Sequence, residues 1–185
     1  MIYPFLNLKT VEIAVGLFLV ISHLSALVFK EPVQMFWKKF PRCPVGGVVL
    51  TLIVSVWAFW LVTSMDLGEF SKYRTHLEIL VPVACFLSIK FVDEFLAVRA
   101  LGILLLLLVE PVLEVTFLKS GTGRLLLVVL AYGWAVMGMF WVGIPFLLRD
   151  QIDWVTKTRL RWQTGCFAGI AYGLALVISS FISRY

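Results

Sequence analysis

Two carboxylates four residues apart, Glu110 and Glu114, stand in a leucine-rich stretch, with Pro111 directly after the first. On a helix that spacing puts both acids on one face. Pro111 donates no backbone hydrogen bond, so the carbonyl of Leu107 loses its helical partner near the same level. A kink at Pro111, a free carbonyl and two acids together make an expected polar notch. In a low dielectric a carboxyl group holds its proton more tightly and can exchange it near neutral pH. The notch therefore suits the passage of a proton or a cation.

Three more ionisable residues lie in apolar surroundings: Glu12, His23 and Lys90. With the centre of each apolar segment taken as a midplane, Glu110 lies roughly 3 Å to the outer side and Glu114 about 9 Å. On the same scale Glu12 lies about 12 Å outward, His23 about 4–5 Å inward and Lys90 about 5 Å inward. The order Glu12, Glu114, Glu110, then His23 or Lys90 is an expected ladder of proton-path residues. Structural roles compete with it. Glu110 and Lys90, offset by roughly 9 Å on this scale, can form an ion pair. Protonated acids can instead bridge helices by hydrogen bonds, and His23 can be a satisfied interior histidine.

No cofactor or metal is expected, with one exception. A b-type haem held through His23 is the minor option. His76, the other histidine, is roughly 20 Å away in depth, too far to share one iron. Met137 or Met139 would have to be the second ligand. No metal-ligand cluster, nucleophile elbow, phosphate loop or dinucleotide fingerprint occurs. Cys43, Cys85 and Cys166 form no CxxC pair and fit small apolar fillers.

The elements that must position these groups follow from composition. Of 185 residues, 61% are hydrophobic and only 15% are charged. Soluble domains run near 45–50% apolar and about 25% charged. A soluble enzyme, a nucleic-acid module and a disordered tail are excluded. The net charge of +5 contains no basic run longer than two residues, so nucleic acid is not an expected partner. The expected fold class is an all-α integral membrane protein, a single compact bundle of about six transmembrane helices with short loops. A crossing needs roughly 20 mostly apolar residues. The expected spans are 11–29, 45–65, 77–96, 98–118, 124–148 and 163–182. The third has the shortest apolar core and ends in Lys90, Asp93 and Glu94, which are expected to pair with Arg99 across a tight turn. Pro82 and Pro145 are expected to kink the third and fifth spans.

Charge sets the orientation. With the N-terminus outside, the inner side holds ten cations: Lys30, Lys38, Lys39, Arg42, Lys90, Arg99, Arg149, Lys157, Arg159 and Arg161. The outer side holds six: Lys9, Lys72, Arg74, Lys119, Arg124 and Arg184. Cationic loops stay on the cytoplasmic side, so both termini are expected outside, in the bacterial cytoplasmic membrane. The inner segments 30–44 and 149–162 mix aromatic and basic residues, as suits the headgroup boundary.

In the sixth span Gly165, Gly169 and Gly173 recur every four residues and form a helix-packing face. It is expected to meet the fifth span, with Gly133, Gly138 and Gly143, or another subunit. The last three spans do not repeat the first three, so an inverted-repeat transporter is not signalled. The expected function is a non-catalytic subunit or assembly component of a membrane complex. Its partners are the bilayer and other membrane subunits or further copies. A small proton- or cation-coupled transporter using Glu110 and Glu114 comes second, and a haem- or lipid-linked membrane enzyme third.

Overall fold

A computed structural model describes residues 2–3, 6–92, 95–119 and 121–182. The expected pairing of Asp93 and Glu94 with Arg99, and the outer-side Arg184, lie outside the described residues. Among the described residues there is no strand. The α-helices are α1 (Leu8–Val28), α2 (Lys30–Lys39), α3 (Pro44–Ser64), α4 (Arg74–Phe91), α5 (Leu96–Thr116), α6 (Thr122–Gly143), α7 (Phe146–Thr156) and α8 (Arg159–Ile182). Five of them, α1, α3, α5, α6 and α8, are long and apolar enough to cross a membrane.

The expected third span forms as α4, but it differs from the other five. It is 18 residues long, contains Arg74, Glu78 and Lys90, and has no buried residue. Pro82 lies inside it without interrupting the helix. The expected fifth span ends early. α6 stops at Gly143, Ile144 leaves helical geometry, and Pro145 stands at the cap of α7. Pro145 thus separates two helices instead of kinking one, because its ring removes a donor and clashes with the preceding turn. The first aromatic-basic segment, 30–44, forms α2 and a 3-10 turn, whereas the second, 149–162, is divided between α7 and the first turn of α8; α2 and α7 pack on each other at one end of the bundle.

Helix directions follow from side-chain contacts. Lys9, in the first turn of α1, places its ammonium 5.3 Å from the ring centre of Phe181 at the end of α8. At the other end of this pair, the indole Nε1 of Trp162 donates to the Ala26 carbonyl at 3.1 Å. So α1 and α8 run antiparallel. Arg74 at the start of α4 donates to the Met65 carbonyl after α3 at 2.6 Å, so α3 and α4 are also antiparallel. Gly47 near the start of α3 abuts Leu96 and Ala97 at the start of α5, so these two run parallel.

Two helix pairs are seated on glycine. A Cβ added to Gly173 of α8 would lie 2.7 Å from the Gly16 carbonyl oxygen of α1, and one added to Gly16 would lie 2.8 Å from the Gly173 oxygen. Gly102 of α5 and Gly138 of α6 make the same reciprocal approach at 2.8 Å each way. The expected glycine face of the last span is therefore corrected in its partner and extent. Gly173 and Gly169 face α1, not the preceding span, and Gly165 has no described neighbour within 4 Å of a Cβ. Apolar packing alone cannot choose partners in a lipid-like environment, so close backbone approach does. Leu8, Val11, Val112, Val115, Leu127, Ala131 and Leu176 fill the core where the two pairs meet.

Candidate functional site

α5 continues unbroken through Pro111 and presents Glu110 and Glu114 from its last turns. The short segment before α1 lies against them. The Ile2 amide donates to Glu114 Oε1 at 2.5 Å. The Tyr3 hydroxyl accepts from Trp57 Nε1 of α3 at 3.1 Å and hydrogen-bonds the Glu110 carboxyl group. The Tyr3 ring also packs on Trp60, with centroids 5.5 Å apart and planes tilted by 48°. Indole N–H, phenol O–H and carboxylate thus form a chain in which each donor has an acceptor. Burial holds the Tyr3 phenol above its ordinary pKa. The Trp57 N–H opposes this, and the negative charges of Glu110 and Glu114 add to it.

The second carboxylate oxygen of Glu110, Oε2, is buried and has no hydrogen-bond partner among the described residues. A buried acceptor without a donor is costly for the ionised form. It is also the open position at which a proton can add.

The structure sorts the other expected path residues. Glu12 is fully buried, but it sits at a different seam. A Cβ on Gly123 of α6 would come 2.6 Å from its carboxyl carbon and 2.7 Å from the Ser179 hydroxyl of α8. Glu12 therefore occupies the junction of α1, α6 and α8. His23 packs its ring on Gly169, and Nδ1 lies 2.8 Å from the Leu19 carbonyl. Donation from Nδ1 to that carbonyl makes Nε2 the acceptor nitrogen. Met137 is half-buried and Met139 is exposed.

Lys90 is not brought near Glu110. It is exposed in the last turn of α4, its ammonium 5.7 Å from the Phe86 ring centre and 5.6 Å from that of Phe91. Glu110 lies fourteen residues along α5 from Leu96, which puts it about 20 Å from the level of Lys90. The expected ion pair is therefore not formed. The expected offset failed because α4 ends at Phe91, so Lys90 sits near the end of its helix and not near the middle.

Sequence reasoning missed Tyr3 and Trp57. Tyr3 precedes the first apolar stretch and Trp57 is one of several aromatic residues in α3, so neither had a distinguishing pattern. It also missed Gly123 and Ser179 beside Glu12. Among the described residues no group of three or more His, Cys, Asp or Glu side chains is placed to hold a metal ion. No family model, curated protein or solved structure matches this chain.

Proposed function

We propose that this chain is an integral membrane protein crossing the bilayer six times, in which Glu110, supported by Glu114 and Tyr3, takes up and passes a proton. The sixth crossing is α4. α3 and α5 run parallel, so the end of α3 and the start of α5 lie at opposite ends of the bundle. If both cross, the segment between them must return through the same thickness. At 1.5 Å per residue the 18 residues of α4 span about 27 Å, close to the roughly 30 Å hydrocarbon core. Six alternating crossings bring both ends of the chain to one side. The cation surplus at the opposite end makes that side the outer one, as in a bacterial cytoplasmic membrane.

The observation that carries the proton reading is the arrangement at Glu110: a phenol on one side of the carboxyl group and, on the other, a buried oxygen without a partner among the described residues. The ionised group accepts from Tyr3. A proton arriving at Oε2 neutralises the buried charge and relieves its desolvation cost. Glu114, one helical turn further out, is the next proton-binding group along the same face. A cation coupled to the same carboxylates is the related alternative.

The test is proton flux into vesicles containing the purified protein, followed with an entrapped pH dye under an imposed gradient. Glu110→Gln keeps the shape of the side chain but cannot titrate, so flux should be lost while the protein remains folded. Wild-type flux in Glu110→Gln would overturn the proposal.

A second reading, a non-catalytic subunit of a membrane complex, is favoured by α4. α4 carries three charged residues, Arg74, Glu78 and Lys90, yet has no buried residue within the monomer. Mass measurement of the protein from mild detergent, where a second copy or another subunit remains attached, tests this reading.

A further inference from the structure

We infer that the cleft between α4 and α5 holds one acyl chain of an anionic phospholipid from the inner leaflet, with its phosphate on Arg99. This site presupposes the six crossings proposed above. α3 packs against both α4 and α5, yet these two consecutive helices make at most marginal contact with each other. Between them lies a half-open cleft of about 350 Å³. Thr51 and Ser55 of α3 form its floor, Ala84 and Ser88 line the α4 side, and Arg99 and Ala100 line the α5 side. Val54, Val81, Leu96 and Ile103 complete a mainly apolar lining.

Three features fit this occupant. The first is length. The wall on the α4 side runs from Val81 to Val92, just past the end of the helix, about 16 Å at the helical rise. One leaflet of hydrocarbon is about 15 Å deep, half of a bilayer core. The second is an unsatisfied donor at the mouth. Arg99 lies in the first turn of α5, at the end of the bundle that carries α2 and α7. Its Nε is buried without a hydrogen-bond partner among the described residues. A buried guanidinium donor without an acceptor is costly, and a phosphate is an acceptor that matches its fork. The third is charge. By sequence, the segments assigned to the inner side carry ten cations and only five acids, so this end attracts anionic headgroups.

The experiment is native mass spectrometry of delipidated protein titrated with phosphatidylglycerol or phosphatidylcholine. One phosphatidylglycerol should remain bound. Arg99→Gln should weaken it about tenfold, the loss of one charge-assisted hydrogen bond, with little change for phosphatidylcholine. Arg99→Lys should recover part of the loss. Ala84→Phe, which fills the cleft, should weaken both lipids, and inorganic phosphate should not compete.

Unchanged phosphatidylglycerol binding in both Arg99→Gln and Ala84→Phe would overturn the site, and so would displacement by inorganic phosphate. Thermal melting of each lipid-free variant identifies one that has misfolded, and the other variant then decides. The crossing is tested separately. In a background with the three cysteines replaced by alanine, Ser71→Cys and Lys90→Cys should react with a membrane-impermeant maleimide from opposite sides. Same-side labelling would remove the crossing and the lipid site with it. Opposite-side labelling with unchanged lipid binding would remove the lipid site alone.

Discussion

Gly173→Ala should destabilise the protein, whereas Gly165→Ala on the same helix should not. The two glycines are two turns apart, and alanine is the better helix former by about 1 kcal/mol at either position. The difference lies in what the new methyl group meets. At Gly165 it meets no described atom within 4 Å. At Gly173 it would lie 2.7 Å from the Gly16 oxygen, 2.9 Å from Val20 Cγ2 and 3.0 Å from Leu19 Cβ. The nearest of these is backbone and cannot rotate away. Restoring an ordinary separation of 3.4 Å requires α1 and α8 to part by 3.4 − 2.7 = 0.7 Å at that point. A gap of 0.5–1 Å forfeits a quarter to a half of each dispersion contact it opens. Such overpacking costs about 1–3 kcal/mol, which exceeds the propensity gain or nearly cancels it. Gly173→Ala should therefore lie about 1–3 kcal/mol below Gly165→Ala, and Gly173→Leu should not assemble the α1–α8 pair. Equilibrium unfolding in mixed detergent micelles measures the difference. Equal stability of the two alanine variants would refute the claim that the Gly16–Gly173 approach holds these helices.

Because Lys90 and Glu110 lie about 20 Å apart in level, a double-mutant cycle of Glu110→Gln with Lys90→Met should give a coupling within about 0.5 kcal/mol of zero. A coupling of about 3 kcal/mol, read by thermal melting, would restore the ion pair. Gly123→Ala should cost more stability than Gly133→Ala, since a methyl at 123 overlaps the Glu12 carboxyl group while one at 133 has open space. Comparing the melting temperatures of these two variants checks the burial site of Glu12. In an alkaline titration followed by tyrosinate absorbance, Tyr3 should ionise above the ordinary phenol range. Trp57→Phe should raise that value further and Glu110→Gln should lower it. The folded state holds the Tyr3 proton more tightly than the unfolded chain, so its stabilising contribution is complete below the ordinary phenol pKa. It is lost as pH rises through the folded value.

The apolar runs were legible because helix length and hydropathy are local properties: α1, α3, α5 and α8 begin and end within a few residues of the expected limits. The break at Pro145 was legible in type but not in consequence. Proline in a long apolar run can kink a helix or end it. The choice depends on whether the residues beyond the proline form an amphipathic helix, as Phe146–Thr156 do. Helix partners were not legible. The glycines of α8 stood out as a repeat, but Gly16 is a lone glycine in α1 and Gly102 a lone glycine in α5. A single glycine acquires meaning only when another helix is laid across it. The candidate site was half legible for the same reason. Glu110 and Glu114 share a face through local geometry, whereas Tyr3 reaches them across more than a hundred residues of chain.

The placement of the acids is a consequence of the glycine pairs. Where Gly16 meets Gly173, or Gly102 meets Gly138, the backbones approach so closely that even a methyl group has no room. A carboxylate cannot occupy those seams. It must lie where one tight pair meets another element, since only there is the spacing set by side chains. Glu12 obeys this rule at the contact of the α1–α8 pair with α6, where Gly123 provides its space. Glu110 obeys it at the contact of α5 with α3 and the N-terminal segment, between Tyr3 and the core. Both acids lie between packed units and not inside them.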